Sequence, residues 1–125
     1  MTQTSGPSLA EQLVTSVVNG IQDVKGEDIV VLDLREIPHA VADFFVVCHG
    51  NSTTQVSAIA RGVEKGTRAD LGQRPWQAEG YGQAQWVLLD YSDVVVHVFY
   101  REARAFYGLE ELWADAERQE IEYAT

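Results

Sequence analysis

Cys48, His49 and His97 together invite a nucleophile–base reading. A cysteine beside a histidine can give a thiolate–imidazolium pair. Neighbouring residues of a strand point to opposite faces, however, so Cys48 and His49 cannot both enter one site from a regular strand. Cys48 therefore reads as a small buried hydrophobe. His97 sits among valines. A hydrogen-bonded structural imidazole is its first reading, a surface contact the second and a catalytic base the last. Asp90 and Asp93 could chelate a cation, but a three-residue spacing with no second His or Cys nearby reads as a solvated turn. Gly50-Asn51-Ser52 opens a helix whose free amides could receive a phosphate. It has a single glycine, no P-loop lysine and no dinucleotide fingerprint, so it reads as a cap and tight turn. No metal and no nucleotide cofactor is expected.

The element that carries most of these groups is Trp86 to Tyr100, two apolar runs around the polar turn Asp90-Tyr91-Ser92-Asp93. This pattern predicts a β-hairpin. With Tyr91-Ser92 as the loop, Asp90 pairs with Asp93, Leu88 lies opposite Val95, and Trp86 opposite His97. One face then carries Val87, Leu89, Val94, Val96 and Val98, which is plain core. The other carries Trp86, Leu88, Asp90, Asp93, Val95, His97 and Phe99. That face is either covered by a helix of the same chain or touches something else.

The rest of the chain must support the hairpin. Ser8 and Glu11 have capping-box spacing, and Leu9, Leu13, Val17 and Ile21, joined by Val14 and Val18, form an apolar face at helical period up to about Val24. Ile29 to Leu34 and Asp43 to His49 read as strands, with a Pro38-containing loop between them. Ser52 and Gln55 cap a second helix with Val56, Ile59, Val63 and Leu71 inside and Arg61, Lys65 and Arg68 outside; Gly72 ends it. Gln77 to Glu79 reads as a short edge strand. After the hairpin, Arg101 onward reads as helical turns broken at Gly108. The order α-β-β-α-β-β-β-α predicts a single α/β domain: a mixed sheet of about five strands flanked by helices, with the second strand, its helix and the next strand forming a crossover. Residues 1–7 are expected to be a disordered tail, 8–115 the domain, and 116–125 an acidic, frayed tail.

Composition narrows the function classes. The chain has 125 residues, enough for one domain with one core. A net charge of −10 counts against wrapping nucleic acid; it fits docking on a basic protein, whose encounter the field would speed, and equally a charge that only keeps the protein soluble. No apolar run approaches the roughly 20 residues of a membrane helix. The first residues lack the basic and apolar segments of a signal peptide. The single cysteine excludes an internal disulfide and fits a reducing, cytoplasmic setting.

Trp86, Phe99, Phe106, Tyr107 and Trp113 fall within 28 residues. Such a group has the composition of an interaction surface and equally of a small core. The runs Ala42 to Gly50, Gln55 to Ala60, Trp86 to Phe99 and Arg104 to Asp115 resemble the ribosomal silencing factor family, also called the Iojap-like family. The resemblance covers roughly residues 8 to 115, with the hairpin its most specific part. It implies a fold similar to nucleotidyltransferases without the catalytic residues, and a protein that is not an enzyme. It implies binding to the large ribosomal subunit through that subunit's fourteenth protein. This would block joining of the small subunit and lower translation when nutrients are short; homodimers are implied as well. The partner surface then maps onto Trp86, Leu88, Asp90, Tyr91, Asp93, Val95, His97, Phe99 and Tyr107. Ser92 departs from the family, many members of which carry glycine there. The alternative is a small nucleotidyl-transfer enzyme on the same fold, using Asp43, Asp90 or Asp93 with magnesium.

Overall fold

The computed structural model describes residues 6–122. The expected N-terminal tail falls largely outside the described residues, as do the last three positions. Helix α1 (Leu9–Asp23) begins with a reciprocal capping box: Glu11 N–H donates to Ser8 Oγ at 3.1 Å, and Ser8 N–H donates to Glu11 Oε1 at 2.8 Å. Strands β1 (Glu27–Asp33) and β2 (Phe44–Gly50) follow, then α2 (Thr53–Leu71). Ser52 caps α2 by accepting from Gln55 N–H, and Gly72 closes it at φ 66°, in the left-handed region that glycine enters without strain. Next come β3 (Gln77–Glu79), β4 (Trp86–Asp90) and β5 (Val94–Tyr100). Two short helices, α3 (Arg101–Tyr107) and α4 (Leu109–Leu112), are separated by Gly108 at φ 61°. The chain then forms β6 (Glu117–Glu120).

Among the described residues the sheet has six strands in the order β3-β4-β5-β2-β1-β6. Only β2 and β5 run parallel; every other neighbouring pair is antiparallel. Two expectations are corrected here. The crossover from β2 through α2 returns to β5, not to the next strand, because β3 takes the sheet edge beyond β4. The segment expected to be a frayed acidic tail contains β6, which pairs with β1 from Val30↔Glu120 to Asp33↔Glu117. All four β6 residues are exposed, so the strand is held by its ladder rather than by an apolar face, and the residue pattern gave no sign of it.

The sheet buries both faces. On one, α1 and α2 pack over Val31, Val46, Cys48, Val87, Leu89, Val94, Val96 and Val98. The helices approach closely where Gly20 meets α2: a Cβ on Gly20 would lie 3.0 Å from Val63 Cα, so a larger residue would push the helices apart by a few tenths of an ångström. On the other face, Val30, Leu32, Phe45, Val47, Val95 and Phe99 are covered by Leu109, Trp113 and Ala116 and by Ile37 and Ala40 of the β1–β2 loop.

Candidate functional site

The hairpin face that carries the functional candidates is the second of these. The division of residues between faces is as the alternation predicts, but the pairing is not. Trp86 lies opposite Phe99, Leu88 opposite His97, and Asp90 opposite Val95. The shift comes from the turn. Tyr91 N–H donates to Val94 O at 2.9 Å, leaving Ser92-Asp93 as the loop, and Ser92 adopts φ 78°. Asp90 Oδ1 accepts the Ser92 N–H at 2.8 Å, and Tyr91 O accepts the Asp93 N–H at 3.1 Å, which hold that conformation without a glycine. A shift of two residues leaves every side chain on its face.

Tyr91 is the candidate that the structure removes from this face. It is buried with the α1–α2 core, and its hydroxyl lies 2.8 Å from Thr67 Oγ1. As the residue that closes the turn against Val94, it follows the core side of the strands. Asp93 is exposed at the turn tip, where its backbone carbonyl accepts from Asp43 N–H (2.8 Å) and Phe44 N–H (3.1 Å). Val95 is buried.

Trp86, His97, Phe99 and Tyr107 form one stack of rings. Trp86 packs on Phe99 (ring centroids 4.9 Å apart) and on Tyr107 (4.8 Å). Its indole Nε1 donates to His97 Nδ1 at 3.1 Å. His97 meets Phe45 edge-to-face at 4.6 Å, and Phe45 meets Trp113 at 5.6 Å. Tyr107 continues outward to Phe106 at 5.2 Å. The stack is graded in exposure. Phe99 (0%) and His97 (3%) form its floor, Trp86 is half-buried, and Tyr107 (47%) and Phe106 (82%) stand in solvent; Leu112 of α4 is separately exposed (77%). The choice between core and surface thus divides by depth. Phe106 and Leu112 were absent from the expected partner surface. Their apolar character does not reveal that α3 and α4, of seven and four residues, leave them exposed.

His97 is a structural imidazole. Since Nδ1 accepts the indole proton, the ring's own proton sits on Nε2, which has no partner among the described residues. Burial pushes the ring's pKa down to about 4, so it is neutral near pH 7. Cys48 lies on the helix-covered face with its pKa pushed up to about 12 by burial, which keeps it a thiol. His49 points to the opposite face, where its Nδ1 accepts from Arg104 Nη1 at 3.0 Å. Burial, then the Arg104 charge, lowers its pKa. Arg104 also donates to Asp28 O at 2.7 Å and forks onto Glu110 at 2.8 and 3.1 Å, while Arg118 reaches Glu110 at 2.9 Å. This network ties α3 and α4 to β1 and β6, and so fixes the platform that presents Tyr107 and Leu112. Burial opposes the Glu110 charge, but its bonds to Arg104 hold the pKa below the usual value. Among the described residues, no group of three or more His, Cys, Asp or Glu is placed to hold a metal ion. No helix among them is long and apolar enough to cross a membrane.

Residues 7–125 match the family model described as "Ribosomal silencing factor during starvation". The chain is 46% identical over 112 residues to the ribosomal silencing factor RsfS of Halalkalibacterium halodurans, spanning 90% of this chain and 94% of that protein. It is 32% identical over 113 residues to the chloroplastic protein Iojap of Zea mays, spanning 88% of this chain and 47% of that one. Among solved structures it is similar to a Bacillus halodurans protein (43% identity, TM-score 0.73, 90% of this chain and 98% of that one). It is also similar to a Chromobacterium violaceum protein (30% identity, TM-score 0.81, 94% of each).

Proposed function

The chain belongs to the ribosomal silencing factor family, and on that premise we propose that it represses translation by binding the large ribosomal subunit and blocking attachment of the small one. The observation that carries this reading is the exposed end of the ring stack: Tyr107 and Phe106 in solvent, on a rigid floor of Phe99 and His97. Rigid aromatic anchors concentrate binding energy in a few residues. A patch burying on the order of 1,600 Å² in total gives useful affinity with no chemistry. The partner we propose is the fourteenth protein of the large subunit. Asp90 and Asp93 would stand at the rim of the contact and speed encounter with a basic protein. Without subunits, a second copy would cover the same rings and give a homodimer. The proposed setting is the cytoplasm, during nutrient limitation.

The protein acts in this reading as a binding module and not as an enzyme. The carboxylate of Asp90 is engaged by the Ser92 amide, and Asp93 meets Asp43 through backbone atoms. Sucrose-gradient profiles of purified subunits test the proposal. With excess protein, joined ribosomes should fall and the protein should migrate with large subunits. Unchanged joining, or calorimetric binding of magnesium nucleotide that Asp90→Ala abolishes, would defeat it.

A further inference from the structure

We propose that the outer side of α2 is a phosphate-binding surface that contacts large-subunit RNA once the ring stack has docked; this rests on the ribosome-binding reading above. The chain has nine Lys and Arg against nineteen Asp and Glu, so any cluster of unpaired cations is unexpected. Arg35, Arg104 and Arg118 are tied into ion pairs with acids. Arg61, Lys65, Arg68 and Arg74 are in no ion pair among the described residues, yet all are exposed around one shallow depression of about 450 Å³.

The clustering follows from helix geometry. Positions 61, 65 and 68 share one face of α2, and the left-handed turn at Gly72 lets Arg74 reach the same depression. The Arg61 guanidinium is steadied over the Tyr81 ring at 4.6 Å. Glu64 is the one acid in the lining, and its carboxylate accepts the Tyr81 hydroxyl. Four cations against one carboxylate leave a net positive patch on an acidic protein, which favours a polyanion as occupant. Two residues beyond Arg74, Trp76 stands 70% exposed, an aromatic face of the kind on which nucleobases stack.

RNA fits this surface better than a protein, because phosphate is the prevailing anion on a ribosomal surface while ribosomal proteins are mostly basic. Helix α2 covers the sheet face opposite the Trp86 stack, so the patch is a surface separate from the rings. A net charge of −10 keeps the free protein from wrapping RNA, and the patch adds to binding only after docking.

The test is equilibrium binding of the labelled full chain to purified large subunits across a potassium chloride series. The triple variant Lys65→Gln/Arg68→Gln/Arg74→Gln alters exposed side chains only, and circular dichroism verifies its fold. It should bind about tenfold more weakly at low salt, with a log–log salt slope shallower by about 2–3, roughly one unit for each phosphate no longer neutralised. A benzophenone amino acid replacing Ala69, in the same segment and exposed, should cross-link to RNA. Parental affinity and slope in the triple variant would overturn the proposal, as would a cross-link to protein alone. Failure of the parent to bind subunits at all would instead overturn the reading on which it rests.

Discussion

The indole Nε1 of Trp86 donates a 3.1 Å hydrogen bond to Nδ1 of the buried His97. The bond joins the half-buried middle of the ring stack to its buried floor, and it fixes the imidazole tautomer. It also sets the plane in which Trp86 meets Tyr107.

The first consequence is a pH dependence. Burial lowers the His97 pKa from 6.5 to about 4, so between those values the unfolded chain binds a proton that the folded chain does not. The stability due to the neutral ring is complete above about pH 6.5 and is lost as pH falls toward 4, by on the order of 3 kcal/mol. His49 shifts in the same direction. Asp33 and Glu110, lowered mainly by bonds to Arg35 and Arg104, lose their contribution only at lower pH. Urea denaturation from pH 7.5 to 5 should therefore show declining stability in the parent and a flatter curve in His97→Leu. Equal slopes would remove His97 from the account.

Trp86→Phe keeps a ring and removes the donor. Both His97 nitrogens then lack partners, and the expected cost is about 1–3 kcal/mol of stability in chemical denaturation. A cost near zero would mean that the indole–imidazole bond contributes nothing to the fold.

The turn makes a prediction of opposite sign. Ser92 holds φ 78° at a cost that glycine would not bear. Ser92→Gly should stabilise the domain by about 0.5–1 kcal/mol, the relieved strain exceeding the added freedom of the unfolded chain. A destabilised variant would show that the Asp90–Ser92 bond, and not the dihedral angle, governs the turn.

Val96→Asp places a charge in the fully buried α1–α2 core and should leave no cooperative unfolding transition. Asp93→Ala, at the exposed turn tip, should melt within a few degrees of the parent. Its side chain has no hydrogen bond among the described residues, and its backbone does the bonding.

Periodicity made the faces of the hairpin legible, because alternation assigns Val87, Leu89 and Val96 to one side whatever the register. The register itself was not legible. It depends on whether Tyr91 or Ser92 opens the loop, and a serine at positive φ conceals what a glycine would have announced. Strand β6 was illegible for a related reason: Glu117-Arg-Gln-Glu120 pairs through its backbone, and nothing in its side chains alternates. Cys48 and His49 were separated correctly by strand geometry alone. The depth of the ring stack needed the structure. Phe106, Tyr107 and Trp113 have the same apolar character, yet Trp113 packs on Phe45 while Phe106 faces water.

The most direct measurement of the central claim is the affinity of Tyr107→Ala and Trp86→Ala for large subunits, at a temperature where both variants are folded by circular dichroism. Tyr107 is 47% exposed, so its removal should cost little stability. Trp86→Ala also removes packing on Phe99 and should melt lower than Tyr107→Ala. If the ring stack is the docking surface, each variant should lose about 2 kcal/mol of binding, roughly 30-fold in affinity, and should no longer prevent subunit joining at parental concentrations. Parental affinity and parental inhibition of joining in both folded variants would contradict the account.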